Sequence, residues 1–162
     1  MRKRCVVALL ALLLSGCGAQ ETFETISDEQ IQPVSAEMRE ILVDLPADAA
    51  SPVSESEAGR MYQCGDYDIY CQTVSAGDLD ATVRTLCGFG RDGVTIVETL
   101  MDGCKRYDFV WACAGETGER LGRAAILDDG NYHYCLSVLA DAETAGEIKG
   151  VWQEIFDSFG LA

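Results

Sequence analysis

The most constraining feature of the sequence is a run of four predicted β-strands that are apolar on both faces. Turn signals such as Asp102-Gly103 and Asp128-Asp129-Gly130 separate them, as is typical of an antiparallel meander. The predicted strands are Val94 to Met101, Cys104 to Cys113, Arg120 to Leu127 and Tyr132 to Ala140. Hairpin register places Val94, Ile96, Leu100, Phe109, Trp111, Ala124, Ile126 and Leu139 on one face, and Val97, Met101, Val110, Ala125, Leu127, Tyr134, Leu136 and Val138 on the other. An antiparallel sheet with one wet face alternates apolar and polar residues, so this sheet needs cover on both faces.

Two predicted helices can supply that cover. Asp78 is typical of an N-cap and Gly88 of a C-terminal cap, so a first helix is expected at residues 79 to 87. A second helix is expected to begin at an Asp141 cap and to end at Gly160. Its apolar residues recur at helical spacing and are Ala145, Ile148, Val151, Trp152, Ile155, Phe156 and Phe159. One helix for each face gives an α+β fold, a three-layer α/β/α sandwich with a mostly antiparallel sheet.

Shorter strands are predicted before the first helix. Ile41 to Leu45 favours a short strand, and residues 47 to 59 read as a loop. Met61 to Cys64 and Tyr67 to Val74 flank the turn pair Gly65-Asp66, which predicts a hairpin. The folded domain is therefore expected to span residues 38 to 162.

The order of these elements resembles the PsbP-like fold of the photosystem II extrinsic P subunit and of a Ran-binding nuclear import factor. The chain is also similar to a group of lipoproteins from Gram-positive gut bacteria. The stretches that carry this second likeness are Asp78-Leu79-Asp80-Ala81-Thr82, Lys105-Arg106-Tyr107-Asp108, and Ala125-Ile126-Leu127 followed by Asp128 to Tyr134. The resemblance implies a fold and carries over no catalytic residue.

The first 17 residues are similar to the signal of a bacterial lipoprotein. Arg2-Lys3-Arg4 precedes an apolar run from Cys5 to Leu14, which is too short to span a bilayer as a helix. Leu14-Ser15-Gly16-Cys17 looks like a lipobox, which implies cleavage after Gly16 and a diacylglyceryl group, with acyl chains such as palmitate, on Cys17. Residues 1 to 16 would then be a signal peptide and residues 17 to 37 an acidic tether. The alternative is an ordinary secretory signal with a chance cysteine.

The charge of the chain limits its partners. Twelve Lys and Arg stand against 27 Asp and Glu, for a net charge of −15, and loss of Arg2, Lys3 and Arg4 takes it to −18. Nucleic acid and anionic lipid surfaces are bound through basic side chains, so both are disfavoured as partners. The expected location is the extracytoplasmic face of the cell membrane, where the lipid on Cys17 would anchor the chain. The protein or small-molecule partner stays open.

Six cysteines belong to the domain: Cys64, Cys71, Cys87, Cys104, Cys113 and Cys135. An even number in an exported chain allows three disulfides in 15 connectivities, and Cys71 with Cys87 is the first expectation. The strand runs about 10 Å from Cys71 to its end, and the helix that follows runs back about 12 Å to Cys87. The two cysteines are therefore expected at the same level. Cys113 and Cys135 share a face but lie on strands that a third strand separates, too far apart for a bridge. The alternative is six reduced, buried thiols.

The candidates for chemistry are few. His133, the one histidine of the chain, shares a strand face with Cys135, and a thiol beside an imidazole can form a nucleophilic pair. A structural histidine is the more common reading. The Asp128-Asp129 pair suits a turn better than a calcium loop, and no zinc spacing, nucleophile elbow or phosphate loop occurs.

These observations favour a non-enzymatic, membrane-tethered binding or envelope-assembly module with no cofactor, no metal site and no catalytic residue. The alternative is an extracytoplasmic thiol-dependent enzyme that uses Cys135 and His133.

Overall fold

The computed structural model describes residues 37–116 and 118–162. The predicted signal peptide, the Cys17 lipidation site and all of the tether before Glu37 lie outside the described residues. The strands are β1 (Ile41–Leu42), β2 (Ser54–Ser56), β3 (Gly59–Gln63), β4 (Tyr67–Ser75), β5 (Ile96–Met101), β6 (Cys104–Ala114), β7 (Glu119–Asp128), β8 (Tyr132–Asp141) and β9 (Gly160–Leu161), and the helices are α1 (Leu79–Cys87) and α2 (Lys149–Ser158). Short 3₁₀ turns lie at Ala47–Ala49 and Arg91–Gly93.

Seven of the strands form one antiparallel sheet in the order β2-β3-β4-β8-β7-β6-β5. The predicted meander is confirmed as β5 to β8. The predicted hairpin is β3–β4, and it extends the sheet because β4 pairs with β8 along its whole length. A separate two-stranded ladder joins β1 to β9, with Ile41 opposite Leu161.

Both faces of the sheet are covered, so the three-layer sandwich is confirmed. The helix α2 packs on one face, which we call the α2 face, in a cluster that includes Trp152, Phe156 and Leu136. The helix α1 packs on the opposite face, the α1 face, where Val83 meets Phe109 and Ile126. The predicted assignment of side chains to the two faces holds through β6, β7 and β8.

The cover is incomplete near β5, which is an edge strand. Leu100 is 81% exposed, and Val97 and Val110 are 56% and 64% exposed. The sequence placed all three in the core, because hairpin register gives the face of a residue but not how far each helix extends across the sheet.

Local signals set the limits of α1, whereas the predicted cap of α2 lies in a strand. The Asp78 side chain accepts a hydrogen bond from the Asp80 N–H, and Gly88 ends α1 in the left-handed region at φ 80°. The predicted cap at Asp141 is wrong, because Asp141 is still paired with Arg120 in the sheet and α2 begins at Lys149. Turns fill residues 142 to 148.

Candidate functional site

A cleft of about 370 Å³ lies between the segment Met38–Ile41 and the β2–β3 hairpin. We call it the hairpin cleft. Its walls are the Met38–Ile41 segment, the hairpin from Glu55 to Arg60, and Cys71–Thr73 of β4. The hairpin lies tightly on β4, since a side chain at Gly59 would place its Cβ 2.6 Å from the carbonyl oxygen of Cys71. Only glycine permits this approach.

Arg39 forms one wall of the cleft and is firmly held. Its backbone N–H donates to the Tyr134 hydroxyl at 3.0 Å, and its guanidinium donates to the carbonyls of Ala162 at 2.9 Å and Leu161 at 3.2 Å. Two of the five N–H donors of the Arg39 guanidinium are thereby bound to carbonyl oxygens.

Arg60 is the second cation of the cleft. It is half-buried, pairs with Cys71 in the β3–β4 register, and forms no ion pair with another residue that the structure describes. The carboxylates of Glu40, Glu55 and Glu57 are exposed around it. The cleft can therefore bind an acidic group at Arg60, and basic or hydroxyl groups at the carboxylates of its rim.

A second polar group is buried under α1. The Thr82 hydroxyl and His133 Nδ1 lie 2.8 Å apart, and His133 Nε2 lies 3.8 Å from the nearer Asp128 carboxylate oxygen. The order of acid, imidazole and hydroxyl is one that nucleophilic sites use. Here the second distance exceeds a hydrogen bond, and His133 and Thr82 are only 1% and 8% exposed. The arrangement fastens α1 to β8 and offers no path to a substrate.

Cys135 does not form a nucleophilic pair with the His133 imidazole. Its Sγ lies 3.7 Å from the His133 carbonyl oxygen, its exposure is zero, and burial raises the pKa of the thiol to about 12. A thiol with that pKa is protonated at neutral pH and is a poor nucleophile. The face shared by the two residues is as predicted, but the predicted chemistry has no geometric support.

The structure does not bring Cys71 and Cys87 together, and all six described cysteines are free thiols. Cys71 belongs to the cluster on the α2 face and Cys87 to the cluster on the α1 face, so the sheet lies between them. The expected bridge fails because it assumed that α1 packs on the side of β4 that carries Cys71. Alternation along β4 turns Cys71 to the other side.

The aspartates that suggested calcium have structural partners. Asp129 accepts hydrogen bonds from the Asn131 and Tyr132 N–H groups, and Asp128 accepts one from the Gly130 N–H. Among residues 37–116 and 118–162, no group of three or more His, Cys, Asp or Glu could hold a metal ion. No helix in the same residues is long and apolar enough to cross a membrane.

The hairpin cleft was missed by the sequence interpretation. Residues 47–59 lack a helical or strand period, yet Ser54–Ser56 form β2 against β3. The Thr82 contact to His133 was missed as well, although a polar residue on the buried face of a helix is a usable signal for a buried partner.

With these features the domain is a PsbP-like α/β/α sandwich. The solution structure of the cyanobacterial PsbP protein CyanoP from Synechocystis sp. superimposes with a TM-score of 0.52 at 12% identity, over 81% of this chain and 96% of that one. A structure from Bacteroides thetaiotaomicron gives a TM-score of 0.50 at 11% identity, over 75% of this chain and 45% of that one.

Another structural neighbour is LpqN, a protein involved in cell envelope biogenesis of Mycobacterium tuberculosis. It gives a TM-score of 0.52 at 13% identity, over 77% of this chain and 84% of that one. No protein-family model matches the sequence, and no curated protein matches it. These similarities define the fold class.

Proposed function

We propose that the chain is an extracytoplasmic lipoprotein, anchored to the cell membrane through Cys17, whose domain is a non-enzymatic binding or envelope-assembly module. The observation that carries the proposal is Leu14-Ser15-Gly16-Cys17, directly after a basic start and a short apolar run. Two or more acyl chains on one cysteine give stable anchoring, because each buried CH₂ contributes about 0.8 kcal/mol.

Three further observations support this function. LpqN, which has the same fold, is involved in envelope biogenesis in its own organism. The hairpin cleft carries the Arg60 guanidinium and exposed carboxylates, which are groups that bind polar partners. The alternative function, a thiol-dependent enzyme, would use the Cys135 thiol, and this thiol is not exposed to solvent.

Lipid labelling tests the anchor. In cells fed a labelled fatty acid, the wild-type chain is expected to carry label and to fractionate with membranes, whereas Cys17→Ala is expected to lose the label and to keep its signal peptide. Cys5→Ala is the matched control, because Cys5 leaves with the signal peptide, and it is expected to label normally. Wild-type protein without an acyl mass would contradict the lipoprotein assignment.

Co-purification tests the binding role of the cleft. Wild-type protein is cross-linked in native membranes, solubilised in detergent and recovered, and its partners are compared with those of Arg60→Glu. The charge-matched control is Lys149→Glu, at the exposed start of α2. The control is expected to retain the wild-type partners and Arg60→Glu to lose them. Equal recovery with both variants would show that the hairpin cleft is not the binding surface.

A further inference from the structure

We propose that Cys87 and Cys113 form a disulfide when the folded domain meets an oxidant, joining the end of α1 to β6. The inference goes beyond the proposed function, and its test does not depend on the membrane anchor. It rests on the distribution of the cysteines over the two faces of the sheet.

The sheet divides the six cysteines of the domain into two sets. The set on the α2 face is Cys64, Cys71 and Cys104, and the set on the α1 face is Cys87, Cys113 and Cys135. A sheet separates side chains on its two faces by more than a disulfide can span. Only pairings within one set remain.

The α2 face allows no pairing. Cys64 lies level with Tyr67, to whose carbonyl its N–H donates, and Cys71 is four residues further along β4, or about 13 Å. Cys104 lies on β6, three strand spacings or about 14 Å from β4 and further from β3. Bridged cysteines have Cα atoms no more than about 7 Å apart.

On the α1 face, Cys113 and Cys135 are also too far apart. Cys135 is opposite Ile126, and Ile126 is opposite Tyr107. Tyr107 and Cys113 are six residues apart on β6, a distance of about 20 Å, and β7 lies between the two cysteine strands. Cys113 can therefore pair only with Cys87.

A shared cluster and a shared pocket place the end of α1 near Cys113. Cys87 and Cys113 both belong to the cluster beneath α1. The Cys87 Sγ lies 3.5 Å from the Phe89 carbonyl oxygen, and Phe89 lines the same surface pocket as Cys113. Burial raises the pKa of the Cys87 thiol, a backbone hydrogen bond at Phe89 acts to lower it, and the charge of Cys113 acts to raise it.

The exposure of the two thiols sets the order of the chemistry. Cys113 is half-buried and Cys87 is 8% exposed, so Cys113 is the first to meet a small disulfide such as oxidised glutathione. The Cys113 thiolate attacks the small disulfide and expels one glutathione thiolate, which leaves a mixed disulfide. The Cys87 thiolate then attacks the Cys113 sulfur and expels the second glutathione. Two protein thiols lose two electrons and two protons, and one small disulfide becomes two thiols.

Peptide mapping of the full chain tests the pairing. The protein is purified in detergent, fully reduced, exposed to oxidised glutathione, alkylated and digested with trypsin without reductant. Cys87 then lies in the peptide 85–91 and Cys113 in the peptide 107–120, each with a single cysteine. The expected product is one species with the summed mass of the two peptides. Before digestion, the melting temperature of the oxidised protein should exceed that of the reduced protein by roughly 10 °C.

Two variants complete the test. Cys113→Ser is expected to remove the linked species and the difference in melting temperature, whereas Cys71→Ser, on the other face, is expected to retain both. Recovery of 85–91 and 107–120 as separately alkylated peptides after oxidation would overturn the proposal. A link from Cys87 to the peptide 124–149, which carries Cys135, would also overturn it.

Discussion

Asp129 organises the turn between β7 and β8 with a single carboxylate. One of its oxygens accepts the Asn131 and Tyr132 N–H groups, both at 2.8 Å, and the other accepts the Tyr134 hydroxyl at 3.0 Å. The same hydroxyl accepts the backbone N–H of Arg39. The turn is thereby connected to the segment that forms one wall of the hairpin cleft.

These contacts make stability depend on acid pH. Burial acts to raise the pKa of Asp129, but the hydrogen bonds from Asn131, Tyr132 and Tyr134 outweigh it and hold the pKa below its ordinary value. A carboxyl with a lowered native pKa binds its proton more readily in the unfolded chain. Its stabilisation is therefore complete well above the unfolded pKa of about 3.9 and is lost as the pH falls through the lower native pKa.

We expect the urea midpoint of the wild-type protein to fall between pH 5 and pH 3, and to fall less in Asp129→Asn. Asparagine keeps the acceptor for the two N–H groups but carries no titrating proton. Some pH dependence should persist, because the Arg91 N–H and the Arg84 guanidinium lower the pKa of Asp80 as well.

Asp92→Asn is the control for this measurement. The Asp92 side chain is exposed and makes no hydrogen bond or ion pair with another residue that the structure describes. This variant is expected to follow the wild-type midpoints at each pH. Identical slopes for Asp129→Asn and the wild type would contradict the role given to Asp129.

Candidate residues could be identified from the sequence, but their surroundings could not. Alternation along β8 correctly predicted that His133 and Cys135 share a face. The zero exposure of Cys135 and the Thr82 contact of His133 depend on how α1 lies across the sheet. That packing is a tertiary property, and it decides whether a thiol is a nucleophile or a core residue.

At the scale of elements, the sequence stretches that carry the likeness to lipoproteins hold the layers together. Arg106 pairs with Asp108 at 2.7 Å and donates to the Phe156 carbonyl of α2 at 3.1 Å. Thr82 of α1 meets His133 of β8. The residues that carry the likeness therefore have structural roles in the sandwich.

The docking of α2 can be tested by truncating Trp152. The side chain is 9% exposed in the cluster on the α2 face, where Phe156 and Ile155 also pack. Loss of a buried tryptophan costs about 3 to 5 kcal/mol, a large part of the total stability of a small domain. We expect Trp152→Ala to unfold the domain or to lower its denaturation midpoint strongly, as followed by circular dichroism in urea.

Glu154→Ala is the control on the same helix. Glu154 is exposed, so its removal is expected to change the free energy of unfolding by less than about 0.5 kcal/mol. Equal midpoints for the two variants would contradict the packing of α2 against the sheet, and with it the three-layer architecture.

Element boundaries were predictable where their signals are local. The cap at Asp78 and the glycine at position 88 gave both ends of α1 correctly. The start of α2 was not predictable in this way, because an aspartate before an apolar helix looks like a cap whether or not it also pairs in a sheet. The Arg120 side chain contacts Asp141 at 3.3 Å and keeps that residue with β8.

At the scale of the whole molecule, the apolar pattern was sufficient for the architecture but not for the cleft. Few compact arrangements of one sheet and two amphipathic helices bury both apolar sheet faces, and the three-layer sandwich is one of them. The cleft lies between an irregular segment and a three-residue exposed strand. Such segments carry no periodic pattern, because few of their side chains face the core.

The ladder of β1 and β9 has a mechanical consequence. Arg39 and β1 are the first described parts of the domain that a pull from the N-terminal side would load. They are held by a two-residue ladder, by the carbonyls of Leu161 and Ala162, by the Tyr134 hydroxyl and by the packing of Ile41 on the core. The seven-stranded sheet lies further along the chain and is held by much longer ladders. Under tension we therefore expect the ladder of β1 and β9 to part before the longer ladders of the sheet.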